Sequence, residues 1–509
     1  MSNPTLQPII IGGGLAGLTS ALHLAERGLH PTILEADPLY IGGRLAGKGE
    51  LEINGWHFPL EHGVHGIWSP YRNLQAMLAR HNMRPVFVPA QEELWLFREM
   101  GVVRSAPVGS AIRHSWFPAP LHYLQLFLNP RFLLTIDIRD WLKLLNVWSV
   151  LIMAVGVDPF GEDQPLEGMM LGESIRNWSP ALRGFFTGLA RNGLSTHADE
   201  IPLAGFLAFL RFYTILRRDA WVFSYLPNGG ELDVCNPLST KVKELGCSIR
   251  MGTRAIRLEK QADEWNVWAE VEGSTICLHT NHVILATDSP AAASLIKNSF
   301  PAEADSLTFP RGMANAVVRV WFDRMPKPGP EAGIFTGEFI LHNFFWLERI
   351  YAPYRAWSKA TGGSTLEAHI YGPPEVLEQP DALLLTNSIM DIYQAYPELR
   401  GRLISQHLQR NPSTHTLPSL GPRGTHLGVE TPWEGFFCAG DWVRDPIPAF
   451  FLERACATGI KAANAVLRSN DMQPWALMDY LPPEPFVGWI EKMMRSGRRR
   501  IRSQRKNTK

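Results

Sequence analysis

The sharpest change of hydropathy pattern lies at the start of the chain, where the unbroken apolar run Ile9-Ile10-Ile11 gives way to Gly12-Gly13-Gly14. Apolar residues then recur three and four apart at Leu15, Leu18, Leu22 and Ala25. This switch predicts a buried strand feeding a helix, with Gly28 as the helix stop and a second strand over residues 31–35. Further along, alternating runs at 264–271 and 275–279 predict a hairpin, bracketed by buried strands at 249–258 and 282–287. A short apolar strand ending at Gly440-Asp441 precedes a last helix that runs through Ala465. Between Ser115 and Phe160 lie two more apolar stretches, 116–128 and 140–155. The second is interrupted by Lys143 and Asn146, which makes it too short and too polar to span a bilayer. It fits a helix lying in a membrane interface and equally a helix buried in a substrate domain.

Chemistry enters with the glycines. A strand, then G-x-G-x-x-G at Gly12, Gly14 and Gly17, then a helix, is a phosphate cradle for a dinucleotide. Gly12 permits the tight turn, Gly14 lets the backbone approach the pyrophosphate and Gly17 allows close helix-to-strand packing. Leu15 and Ala16 head the helix whose N-terminus meets the phosphates. Glu35 ends the second strand about 20 residues on, the spacing expected for a carboxylate that accepts ribose hydroxyls. Next comes Gly42-Gly43-Arg44, which reads either as exposed amides with a guanidinium that forks onto phosphate or as a plain glycine turn with a surface arginine.

The remaining composition narrows the class. Lysine plus arginine number 49, as do aspartate plus glutamate, so the overall charge gives no reason to expect a nucleic-acid partner. Five scattered cysteines without a C-x-x-C pair fit a reducing compartment and structural thiols. No metal-spaced cluster is evident, and His279 and His282 read as surface residues flanking a strand. The first residues lack the pattern of a signal peptide. Local charge is less even: Arg495, Arg498, Arg499, Arg500, Arg502, Arg505, Lys506 and Lys509 follow one another without an acid. Such a tail reads as attraction to anionic lipid, with a solvated disordered end or nucleic-acid contact as the competing readings.

In this order, strand-GxGxxG, GGR, late strand-AGD and a terminal P-A-x-x-x-E helix resemble the flavoprotein amine oxidoreductase superfamily. The resemblance implies an α/β fold, with a discontinuous Rossmann-type FAD-binding domain built from residues 1–75, 225–295 and 415–469. An α+β substrate or lid domain would take 76–224 and 296–414, and 470–509 would be a C-terminal extension. It also implies that Gly12, Gly14, Leu15, Ala16, Gly17 and Glu35 hold the ADP part of FAD, with Gly43 and Arg44 on the diphosphate side. Ala255 would meet the adenine and Gly440 and Asp441 the ribityl and phosphate region. Phe451 and Leu452 would lie at the pyrimidine end of the flavin, where helix amides stabilise negative charge.

The stretch Glu61-His62-Gly63-Val64-His65-Gly66, continuing to Tyr71-Arg72-Asn73-Leu74, is similar to the plant-type phytoene and ζ-carotene desaturases. Its second His-Gly is closer to the β-carotene desaturase/methyltransferases, also called isorenieratene synthases. By that similarity Gly63 and Val64 run along the flavin, and His65 faces the substrate channel as a candidate catalytic group; a structural imidazole is the competing reading. Phe451 stands where amine oxidases usually carry a tyrosine, and a ring without a hydroxyl suits hydrocarbon. The expectation is an FAD-dependent desaturase of a carotenoid or related isoprenoid, cytoplasmic and peripherally attached to a membrane surface, passing electrons to quinone or oxygen. Oxidation of an amine or porphyrinogen, or a non-catalytic role like that of GDP-dissociation inhibitors, are the alternatives.

Overall fold

The computed structural model describes residues 7–47, 49–136, 144–160, 166, 168–420 and 424–507. A five-stranded sheet runs in the order Ser248–Arg250, Thr32–Leu34, Ile9–Ile11, Val283–Leu285 and Phe436–Cys438. All its pairings are parallel, with Ile10 opposite Ile33 on one side and Ile284 on the other. Central parallel strands are covered on both faces, so consecutive isoleucines fit where alternation would not. Helix Leu15–Ala25 is buried on every side, because the terminal helix Phe451–Ser469 packs across it. Glycine permits both close approaches. A Cβ on Gly17 would lie 2.0 Å from the Gly12 carbonyl oxygen, and one on Gly459 would lie 2.6 Å from that of Ala16.

The expected hairpin belongs to a three-stranded antiparallel meander, Thr253–Gln261, Glu264–Val271 and Ser274–Thr280. Its first bracket is not a buried strand. The chain divides at Met251 and Gly252, so that Ser248–Arg250 joins the edge of the parallel sheet while Thr253–Gln261 leaves it. Arg254, Arg257, Glu259 and Lys260 explain the departure: they stay exposed, since burying unpaired charge is costly. The second bracket, Val283–Leu285, is fully buried.

A seven-stranded mixed sheet forms the other layer, in the order Leu403–Thr416, Gly312–Phe322, Ser364–Ile370, Asn343–Trp346, Ala332–Gly337, Glu93–Glu99 and Val102–Pro107. Side-chain alternation gives it two different faces. On one, Val318, Val320, Leu366, Ala368 and Ile370 pack with Leu384 and Ile392 of helix Asp381–Ala395. On the other, Arg319 and Glu367 hydrogen-bond to backbone groups of residues 61 and 64.

Of the apolar stretch expected over 140–155, Asp140, Trp141 and Lys143 lie outside the described residues. Helix Leu144–Gly156 buries Val150, Leu151, Ala154 and Val155 and packs against the C-terminal helix Pro485–Asn507. The side chains of the basic residues from Arg498 onward also lie outside the described residues. Among the described residues no helix is long and apolar enough to cross a membrane.

One carboxylate joins the ends of the chain. Helix Arg72–Arg80 has no capping side chain of its own, and Glu453 supplies the cap. Its Oε1 accepts the Asn73 backbone N–H and side-chain Nδ2, each at 2.9 Å, and its Oε2 accepts the Leu74 N–H at 3.1 Å. The Tyr480 hydroxyl donates to the same carboxylate at 3.1 Å. Replacing Glu453 with alanine leaves buried amides without acceptors, and is expected to cost about 2 kcal/mol or more. Thermal melting of the apoprotein checks this, and an unchanged midpoint would remove Glu453 from the cap.

Candidate active site

The two glycine turns meet at the carboxyl ends of the parallel strands. Gly12 has φ +106°, and a Cβ there would come within 2.7 Å of the Ala286 carbonyl oxygen. A Cβ on Gly14 would meet nothing within 4 Å, so the face above it is open to a ligand. Helix Leu15–Ala25 carries no side-chain cap, which leaves the amides of its first turn for phosphate oxygens. Glu35 braces this loop: its Oε2 accepts the Gly13 N–H and its Oε1 the Asp37 N–H, both at 2.8 Å. Burial pushes the Glu35 carboxyl upward, against these donors. The Gly42 N–H donates to the Gly13 carbonyl at 2.9 Å, tying the second turn to the first. Its bare α-carbon admits the buried Cys235 thiol, which a Cβ would meet at 2.3 Å. Beside it Gly43 is exposed and Arg44 half-buried. The Thr253 N–H bonds to the Glu35 carbonyl at 2.8 Å and brings Ala255 to this end of the groove.

Arg44 and Asp441 close the groove from opposite sides, with Nη2 and Oδ2 2.7 Å apart. The Thr416 hydroxyl donates to Asp441 Oδ1 at 2.9 Å. Burial opposes ionisation of Asp441, but the guanidinium and these hydrogen bonds outweigh it and hold the carboxyl below its usual range. Gly440 is clamped by Thr458, whose Oγ1 accepts its N–H at 3.0 Å and donates to its carbonyl at 3.1 Å.

Beyond Asp441 the terminal helix begins in a strained way. Phe451 has φ +55°, rare for a bulky residue. Tyr213 holds the preceding residue, accepting the Phe450 N–H at 3.0 Å and donating to its carbonyl at 3.2 Å. No side chain caps this helix, so the Leu452 end keeps free amides and the positive end of the helix dipole. The His415 ring stacks on Phe451, centroids 5.7 Å apart. Arg454 follows, buried, its guanidinium 5.0 Å from the centre of the Phe160 ring and donating to the Asp445 carbonyl. Phe160, Asp441, Phe451 and Arg454 line one narrow cleft, and Phe160 also borders a second, roomier one lined by Phe212, Arg211 and Tyr480.

The segment from Glu61 to His65 faces this region. Glu61 Oε2 accepts the Gly230 N–H at 3.0 Å, and burial pushes its carboxyl up to about 8 against that donor. His62 Nε2 and His65 Nδ1 are buried atoms with no partner among the described residues. Burial drives both imidazoles toward the neutral form, His65 down to about 4, and His415 likewise to about 4. Gly63 lies flat against His369, whose ring a Cβ would meet at 3.2 Å.

An open face over Gly14, two uncapped helix starts and unpaired imidazole nitrogens are the features a bound dinucleotide with a polar ring system would satisfy. The residues fit FAD. The sequence reading did not single out His62, Arg319, Glu367, His369 or His415. The available signal was charge at one parity of otherwise apolar strands, Arg319 within Gly312–Phe322 and Glu367 with His369 within Ser364–Ile370.

A family model described as "Flavin containing amine oxidoreductase" matches residues 15–467. A carotenoid phi-ring synthase from Chlorobaculum tepidum is 25% identical over 584 residues, covering 91% of this chain and 89% of its own. A 15-cis-phytoene desaturase from Narcissus pseudonarcissus is 20% identical, covering 92% of this chain and 80% of its own. Among solved structures, cyclohexylamine oxidase from Brevibacterium oxydans shares the fold, with TM-score 0.69 at 16% identity over 92% of this chain and all of that one. With the match running from the helix of the dinucleotide cradle to the terminal helix, the chain belongs to the flavin containing amine oxidoreductase family and is an FAD-dependent oxidoreductase similar to the carotenoid desaturase branch.

Proposed function

We propose that the protein desaturates a carotenoid or related polyisoprenoid and, more sharply, that it aromatises a β-ionone-type ring with migration of one methyl group. The observation that carries this reading is the lining beside Asp441: Phe160, Phe450 and Phe451 surround the start of the terminal helix, the His415 ring stacks on Phe451, and His65, which feels His415, is held neutral by burial. Phe451 brings no hydroxyl to a substrate amine. The names of the relatives from Chlorobaculum tepidum and Narcissus pseudonarcissus support the same substrate class.

FAD, when bound, supplies a two-electron acceptor for hydride. Leu452 and the helix start behind it would hold its pyrimidine end, and Gly12, Gly14 and Glu35 its ADP end. Removing hydride from an allylic carbon leaves positive charge on the polyene, and the adjacent C–H then becomes strongly acidic. A weak base suffices for that proton, and His65 meets the need: unprotonated at neutral pH, it adds no repelling charge beside the developing cation. The same aromatic walls exclude water, which would otherwise trap the cation. On a β-ring, two such removals and a methyl shift to the cationic neighbour give an aromatic end group.

Expression in bacteria that accumulate phytoene, lycopene or β-carotene tests the substrate. β-Carotene is expected to give a product with a new absorption spectrum and a mass lowered by the hydrogens removed. Flavinated protein that leaves every pigment unaltered would falsify the carotenoid assignment.

The C-terminal helix favours work at a lipid surface. Phe486, Trp489 and Met493, spaced three and four apart, are exposed, and the basic run continues the same helix. Trp116, 91% exposed, sits in the loop whose Ala119 N–H bonds to Glu484 at 3.3 Å, just before that helix. Arg495 is held by Glu491 at 2.8 Å and by Asp158 at 3.6 Å, so the chain can be cut after Gly497 without breaking those contacts. Removing residues 498–509 is expected to release the protein from anionic vesicles while it keeps its flavin, because each basic group near the surface contributes roughly 1 kcal/mol. Unchanged pelleting with vesicles would count against membrane attachment.

A further inference from the structure

Arg319 and Glu367 form an ion pair with no exposed side-chain surface, Nε to Oε2 2.7 Å apart. Every remaining group of the pair is also engaged. Arg319 Nη1 donates to Gln409 Oε1 at 2.9 Å, and Nη2 to the Glu61 carbonyl. Glu367 Oε1 accepts the Val64 N–H at 3.0 Å and lies 2.8 Å from His369 Nε2. Gln409 Nε2 donates to Asn411 Oδ1, and Asn411 Nδ2 donates to the His62 carbonyl, both at 2.8 Å. Three of the four residues leading into His65 are therefore bonded through their backbones to strands Gly312–Phe322, Ser364–Ile370 and Leu403–Thr416 of the seven-stranded sheet.

Cohesion alone does not call for ions here. Neutral amides could make the same backbone bonds without the cost of desolvating two charges. What a carboxylate adds is its charge, and it lies where His65 feels it. Among the described residues the charged and titratable groups acting most on that imidazole are Glu367, His369 from the same strand, Arg44 from the glycine turn and His415 from strand Leu403–Thr416, which lies beyond Gly312–Phe322. Only Glu367 favours a positive ring; the other three oppose it.

We propose that Glu367 is a positioning residue for His65: through the Val64 amide it fixes where the imidazole points, and its carboxylate offsets the charge the ring gains on taking the substrate proton. This rests on the reading of His65 as proton acceptor. In that step the hydride leaves one carbon for FAD, which is reduced by two electrons. The C–H bond of the neighbouring carbon breaks, its electron pair becomes the new double bond, and the proton goes to the His65 imidazole.

The test compares Glu367→Gln, the double variant Arg319→Gln/Glu367→Gln and His65→Gln, all loaded with FAD. Flavin reduction by substrate is followed across pH, and hydrogen exchange at Val64 is measured in the apoproteins. Glu367→Gln is expected to slow reduction at pH 7 by about tenfold or more. It should also move the acidic limb of the profile to lower pH by about one unit, because an imidazole that loses a neighbouring anion is less basic. The Val64 amide should exchange faster. If the single variant fails to hold flavin, the double variant, which buries no lone ion, carries the same comparison. An acidic limb that stays in place overturns the role of Glu367. Full-rate reduction by His65→Gln overturns instead the reading of His65 itself, so the two failures are distinguishable.

Discussion

A fully buried ion pair is the constraint around which the two layers are arranged. Removing Arg319 and Glu367 from water is costly, and such a pair persists only if its other hydrogen-bonding groups are satisfied. Here they are, and part of the satisfaction comes from the other layer: the Glu61 carbonyl and the Val64 amide belong to the segment that leads from the glycine turns toward the groove. Segment 61–64 cannot shift along the seven-stranded sheet without leaving a buried charge unpaired. The opposite face, where Val318 and Leu366 pack with Leu384 and Ile392, contributes apolar burial but no directional bond to that segment.

A second constraint acts at the start of the terminal helix. A bulky residue in the left-handed region costs of order 1–3 kcal/mol and persists only where its surroundings impose it. Tyr213 imposes it at Phe451 through both backbone groups of Phe450, and Tyr71 in turn bonds to the Tyr213 hydroxyl at 3.1 Å. Two residues on, Glu453 caps the helix that begins just after Tyr71. Tyr71, Asn73 and Leu74 thus belong to the same assembly as Phe450, Phe451 and Glu453, although Asn73 and Glu453 lie 380 residues apart in sequence.

Much of this was legible from sequence where the chemistry is local. The strand, glycine loop and helix over 9–25 declare themselves because backbone conformation, helix period and phosphate approach fall on adjacent residues. The inner face of the seven-stranded sheet did not, since its polar residues are spread over three strands far apart in sequence, Arg319 in one, Glu367 and His369 in a second, Gln409 and Asn411 in a third, and one arginine in an apolar run gives no hint of its partner. Residues 249–258 resemble one buried strand because apolar residues alternate with Arg254 and Arg257, yet those two charges stay exposed where the chain leaves the parallel sheet. Glu453 could be read as the acid of a family motif, yet its work is to cap a helix far away in the chain, which no local pattern encodes.

The order of strands in the parallel sheet carries a consequence for biosynthesis. Its edge strand Phe436–Cys438 and the helix that covers Leu15–Ala25 are made long after that first helix, which stays without its main packing partner while the intervening chain emerges. Until then an apolar surface buried on every side in the finished protein is open to solvent, the circumstance in which large proteins recruit chaperones. The contact between Arg44 and Asp441 likewise forms only after that later segment has been made.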